Sequence, residues 1–351
     1  MLFSLGIGGW IWWTSGARHK PPPAKPPATI IREQPSLPTP QTNTIGIRSP
    51  RTTIAISPRA TPATSEFPRP PRNPLEAQIA LSRRGISAGS IDGVNGSQTR
   101  AAVAAFQRQS GLPPSGELDD ATRNLLTLDA PLLTTYTVTS NDLTRLQPLG
   151  KTWVGKSEQT ALEYETLLEL VAERGHASPN LTRRLNPTVN WTNLGAGTEL
   201  QIPAVEYPPP VRAAFATIRL AEKRLQVFDD HTNLLAHFPC SIAARVEKRP
   251  AGELRVTAIA PNPNYTFDPE GFPESEEARQ INTKLILPPG PNNPVGTAWI
   301  GLDKPGYGMH GTPSPEQVGR TESHGCFRLA NWNVEYLVKL VWVGMPVTVE
   351  P

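Results

Sequence analysis

Cys326 and the histidines that precede it are the residues of this 351-residue chain whose types and spacing could build a nucleophile. His324 stands two positions before Cys326 and His310 sixteen before it, in the strings His310-Gly311-Thr312 and Ser323-His324-Gly325-Cys326-Phe327-Arg328. A thiol attacks as its thiolate, and an unperturbed cysteine is mostly protonated at about pH 7. It needs a neighbouring imidazole to take the proton, and the chain offers two. Gly325 lets backbone and substrate approach closely and leaves amide N–H groups free to line an oxyanion hole. Taken singly these residues decide little, because cysteine is among the most buried residue types and a lone strand histidine is usually structural. Cys240, in Phe238-Pro239-Cys240-Ser241-Ile242 with only His237 nearby, reads as core on those grounds. His310, His324 and Cys326 could also be zinc ligands, but a catalytic zinc site wants an activating carboxylate and none has a telling position.

The elements that must hold these groups begin near Val211. Short alternating runs such as Ala216-Thr217-Ile218-Arg219-Leu220 and Leu225-Gln226-Val227-Phe228 read as strands, with Asp229 to Asn233 as a hairpin turn. Trp299-Ile300-Gly301-Leu302 and Gly308-Met309-His310 are joined through Lys304-Pro305-Gly306-Tyr307, whose central Pro and Gly suit a type II turn. One helix near residues 333–341 presents Val334, Leu337, Val338 and Val341 on a single face. It closes at Gly344 and returns as the strand Val347-Thr348-Val349. The sum is a mostly β domain with one prominent helix.

His310-Gly311-Thr312 followed by Ser323-His324-Gly325-Cys326-Phe327-Arg328 resembles the signature of the L,D-transpeptidase catalytic domain. The resemblance runs through Pro288 to Gly296, Trp299 to Leu302, Gly319-Arg320, Leu329 and Gly344 to Val347, and covers residues 211–351. Phe327 departs from it, since that family more often has a branched aliphatic residue there. The resemblance implies a β-sandwich-like domain without cofactor or metal. Cys326 would attack the carbonyl between the third residue of a peptidoglycan stem peptide and its terminal D-Ala. His310 would be the base and pair with the sulfur as imidazolium and thiolate, with Gly311 orienting the ring through its carbonyl. Ser323, His324 and Gly325 would shape the loop, and Arg328 would hold a substrate carboxylate or brace the site. The acyl group would pass to the amine of another stem, to an outer-membrane lipoprotein, or to water.

The rest of the chain is read from pattern and composition. Residues 1–17 are an apolar run ending in small residues, expected to be a signal peptide or a membrane anchor. The 40 prolines crowd toward that end, so residues 18–74 are expected to be an extended linker. In residues 75–128, Thr99, Ala102, Val103 and Phe106 fall on one helical face. With Ile91-Asp92-Gly93, Gly111-Leu112 and Leu118-Asp119, they resemble the peptidoglycan-binding three-helix domain. Residues 134–204 end in Leu194-Gly195-Ala196-Gly197-Thr198-Glu199-Leu200-Gln201-Ile202-Pro203, which resembles the close of a lysin motif, a glycan-binding module. The expectation is a multidomain α+β protein of the periplasm or cell envelope, with peptidoglycan as partner and separable binding and catalytic modules. A net charge of +3, with no basic block, gives nucleic acid no footing. A catalytically silent wall-binding scaffold and a metal-dependent wall peptidase are the alternatives.

Overall fold

Three short helices open the described part of the chain, which in this computed structural model comprises residues 66–321, 323 and 325–351. The expected export segment, most of the linker and His324 lie outside the described residues. Helix α1 (Pro74–Ser82) begins with proline after Asn73, whose side chain accepts the Glu76 amide at 3.0 Å, a standard polar cap. Helix α2 (Ser97–Gln109) buries Thr99, Ala102, Val103 and Phe106, and α3 (Asp120–Leu125) is capped by Asp119. Ile79, Leu81, Ile91 and Leu126 fill the space between them.

The middle segment starts at β1 (Leu133–Thr137) and closes on it antiparallel with β2 (Glu199–Pro203). Between them lie α4 (Ser140–Arg145), α5 (Trp153–Ser157), α6 (Leu167–Arg174) and α7 (Pro179–Leu185), each capped by a Ser or Thr hydroxyl. Val138, Leu170, Val171 and Leu200 form its core.

The C-terminal region comprises β3 (Phe215–Arg219), β4 (Arg224–Phe228), β5 (Leu234–Pro239), β6 (Gly252–Pro261), β7 (Tyr265–Phe267), α8 (Glu276–Gln280), β8 (Leu285–Leu287), β9 (Ala298–Leu302), β10 (Gly308–His310), β11 (Phe327–Arg328), α9 (Asn331–Leu340) and β12 (Pro346–Glu350). Eight of these strands make one sheet in the order β11-β10-β9-β6-β12-β3-β4-β5. The sheet curls until its ends meet. Just beyond β5, Ser241 exchanges backbone hydrogen bonds with Arg328 of β11, at 2.9 and 3.1 Å. The two facing layers are thus one continuous sheet folded over, and α9 packs Val334, Leu337 and Leu340 into its core. A β7–β8 hairpin stands apart from this sheet.

The seams between regions are as dry as the regions themselves. Leu234 of β5 is buried with Ala177, Leu181 and the three-helix core. Trp153 of α5 stacks on Phe267 of β7 at 4.2 Å, and Leu162 is fully buried beside Leu287. The backbone of His237 in β5 exchanges hydrogen bonds with Gly85 and Ser87 at the end of α1. Accordingly, Ser65–Pro351 forms one compact unit, so the sequence-based expectation of separable modules gives way to shared cores.

Two histidines with enclosed ring nitrogens lie at those seams, His237 buried and His176 half-buried. His237 and His176, the latter stacked on Trp332, each have a ring Nδ1 with no hydrogen-bond partner, and burial pushes both from 6.5 down to about 3. Above 6.5 folded and unfolded chains are equally unprotonated there; below it only the unfolded chain takes up protons, so stability falls with pH. Each histidine can cost about 4 kcal/mol once pH reaches its folded value. Half-buried Glu173, raised from 4.5 to about 7, works in the opposite direction between those values but is a single group. The thermal midpoint is therefore expected to drop steadily from about pH 6 downward. A midpoint level or rising to about pH 4 would contradict neutral burial of these rings.

Candidate active site

Strand alternation decides which residues of β10 and β11 meet. These strands pair in parallel, with Met309 opposite Phe327 and His310 opposite Arg328. Met309 and Phe327 turn into the core, at 0 and 1% exposure. The other face therefore carries His310, Arg328 and, two residues before Arg328, Cys326. On the far side of His310 the register places Trp299 of β9, and the two rings stack at 5.6 Å. The indole extends over Gly308, where an added Cβ would lie 2.5 Å from it, so only glycine fits beneath the ring.

His310 is buried, and its Nδ1 lies 2.7 Å from the Gly311 carbonyl oxygen. A carbonyl only accepts, so Nδ1 carries the proton and Nε2 is left bare as an acceptor. Burial pushes His310 from 6.5 down to about 4, the Gly311 carbonyl opposes this, and the Arg328 charge adds to it. Cys326 is half-buried, and its sulfur donates to the Gly306 carbonyl at 3.4 Å. Gly306 occupies the left-handed position of a turn closed by Tyr307 N donating to Lys304 O at 3.0 Å. The protein packed around the sulfur pushes the thiol up to about 11, although the Gly308 amide favours the thiolate. Both shifts favour neutral forms. These directions favour thiol and imidazole over the ion pair expected from the sequence in the substrate-free site, because neither group has a compensating charge beside it.

The loop before Cys326 is held by Ser323. Its hydroxyl donates to the Cys326 carbonyl and accepts the Gly325 amide at 3.2 Å, while its backbone pairs with Ile242 and Ala244 beyond β5. The Gly325 amide is thus engaged by Ser323 and is not free for an oxyanion, contrary to expectation. Arg328 donates to the Thr321 carbonyl and hydroxyl at 3.2 and 3.1 Å, which makes it a brace of this loop. Cys240 is fully buried in the same layer, with its thiol pushed up to about 12.

Several residues at the site carried no signal in the sequence. Burial raises the phenols of Tyr265, to about 12, and Tyr307, and both lie close enough to Cys326 for a charge on its sulfur to add to the shift. Asn331, the first residue of α9, is fully buried behind Gly311, and its Oδ1 accepts the Thr312 and Thr297 amides at 3.1 and 3.3 Å.

Residues 213–349 match the family model of the L,D-transpeptidase catalytic domain, and residues 72–126 match that of a "Putative peptidoglycan binding domain". The chain is 24% identical over 184 residues to a "Putative L,D-transpeptidase YkuD" of Bacillus licheniformis, spanning 52% of this chain and 93% of that one. It is 28% identical over 208 residues to a "Probable L,D-transpeptidase ErfK/SrfK" of Escherichia coli, spanning 58% of this chain and 66% of that one. Among solved structures, an L,D-transpeptidase from Mycobacterium smegmatis is similar at 18% identity and a TM-score of 0.32, over 44% of this chain and 64% of that one. The chain thus carries an L,D-transpeptidase catalytic domain at residues 213–349, preceded by a peptidoglycan-binding domain at residues 72–126.

Proposed function

We propose that Cys326 is the nucleophile and His310 the base of a peptidoglycan L,D-transpeptidase that works through a thioester. The observation that carries this reading is the shared face of Cys326 and His310, with Nδ1 committed to Gly311 O and Nε2 left to accept. As the sulfur attacks the carbonyl between the third stem residue and D-Ala, its proton passes to Nε2. The tetrahedral adduct then expels D-Ala, whose nitrogen takes that proton, and the acyl group remains on sulfur. The side-chain amine of another stem attacks the thioester and gives a proton to Nε2, and the adduct expels the Cys326 thiolate, which takes that proton back. The product is a cross-link between third residues. A lipoprotein amine in place of the second stem would attach that protein to the wall. The peptidoglycan-binding domain, with the lysin-like middle segment beside it, would keep the enzyme on its polymer, in the periplasm or elsewhere in the cell envelope. The Gly308 amide, which favours negative charge on the sulfur, would steady the departing thiolate.

The test is covalent labelling by a carbapenem, an acylating agent for a nucleophile of this class. Intact-mass and peptide analysis should place one adduct on Cys326, retained in Cys240→Ala and abolished in Cys326→Ala. An adduct on Cys240, or one that persists without Cys326, would remove the nucleophile assignment. Labelling lost with a chelator and restored by zinc would favour a metal-dependent peptidase.

A further inference from the structure

Glu173, in α6 of the middle segment, reaches the back of the catalytic site. Its carboxyl oxygens lie 3.3 and 3.1 Å from Asn331 Nδ2, which also donates to the Pro291 carbonyl at 3.1 Å. The opposite end of the same amide, Oδ1, holds the amides of Thr297 and Thr312. Thr312 follows Gly311, whose carbonyl fixes the His310 tautomer. Space there is closely filled, since a Cβ on Gly311 would lie 2.3 Å from Asn331 Oδ1. Tyr164 OH donates to Glu173 at 2.9 Å and so orients it.

Resting on the reading above, we propose that Glu173 is a positioning residue of the catalytic centre, acting through Asn331 on the Gly311–Thr312 peptide that holds His310. An amide side chain can turn over and exchange its oxygen for its nitrogen. An acidic acceptor behind Asn331 forbids that turn, because the flipped amide would set its oxygen against the Glu173 oxygens. Without Glu173 the turned amide offers N–H to the Thr312 N–H. The peptide then loses its acceptor, Gly311 O leaves Nδ1, and Nε2 is no longer the bare nitrogen. The half-buried carboxyl of Glu173 is lifted to about 7, first by its partial removal from water and then by the charges of Glu335 of α9 and Glu169 one turn earlier, against the hydrogen bonds from Tyr164 and Asn331. A middle segment serving only as a spacer would have no use for such a group.

The test follows D-Ala release from a soluble tetrapeptide stem by the full chain. Glu173→Ala and Glu173→Asp, the latter too short to reach Asn331, should each lower kcat by about 100-fold with KM little changed. Glu173→Gln keeps the length and an acceptor for Asn331 but adds a donor that the turned amide can use, so its kcat should fall between those of Glu173→Ala and wild type. Leu170→Ala, in the same helix and away from Asn331, controls for lost stability and should keep its kcat wherever it is folded. Asn331→Ala should be slow, and Glu173→Ala added to it should cost nothing more. Wild-type kcat in Glu173→Asp, or losses that add in the double variant, would overturn the assignment even if Glu173→Ala failed to fold. Release that survives Cys326→Ala would instead remove the cysteine mechanism, a separate failure.

Discussion

His310→Ala is expected to slow acylation of Cys326 by about 1000-fold at about pH 7, the scale of a lost general base. The pH dependence should change with it. In the wild type a neutral imidazole receives the proton while the sulfur–carbon bond forms, so the rate should be level between the limits set by His310 at about 4 and Cys326 at about 11. It falls on the acid side, where His310 becomes protonated and cannot accept. Without the imidazole only thiolate reacts, so the rate should climb about tenfold per pH unit toward the value of the thiol. Carbapenem labelling followed by mass from about pH 6 upward, above the range in which the enclosed histidines unsettle the fold, separates the level wild-type rate from the climbing one of the variant. A thiolate ultraviolet band in the resting wild type at about pH 7 would show the ion pair expected from sequence and refute the neutral pair. A loss of this size in His324→Ala, with His310→Ala unaffected, would move the base role to His324.

That contrast marks where the sequence was legible. Residue order and turn chemistry placed His310, Gly311, Ser323 and Cys326 near one another, because a motif on two adjacent strands has few ways to fold. The Pro305-Gly306 turn and the single helix closing at Gly344 were readable for the same reason, each being a local rule. Protonation was not readable, since burial and the charge of Arg328 fix it and both are tertiary. The Gly325 amide was misjudged because the sequence cannot show that the hydroxyl of Ser323 turns back onto it. Glu173 gave no signal at all. An acid near the end of the amphipathic run Leu167–Arg174 looks like solvated surface, and only the tertiary fold brings it to Asn331 of α9.

Cutting the chain to residues 211–351 is expected to abolish both the fold and carbapenem acylation, although every proposed catalytic residue is retained. The cut removes Trp153 and Leu162 from Phe267 and Leu287, which are fully buried in the intact protein. It strips Ala177 and Leu181 from Leu234, and the Gly85 and Ser87 backbone from His237. Re-exposing each large apolar side chain costs about 1.5–3 kcal/mol, and several such losses match the whole stability of an ordinary domain, about 5–15 kcal/mol. The β7–β8 hairpin would lose its packing first, and it carries Tyr265 toward Cys326. Asn331 would lose Glu173 in the same cut. A chain beginning at Glu66 keeps all these contacts and is the control. Thermal melting and adduct formation on the two proteins decide the matter, with the longer one expected to melt cooperatively and label, and the shorter one to do neither. If residues 211–351 fold and label at the wild-type rate, the seams are docking contacts outside the core, and Glu173 cannot be what holds His310 in place.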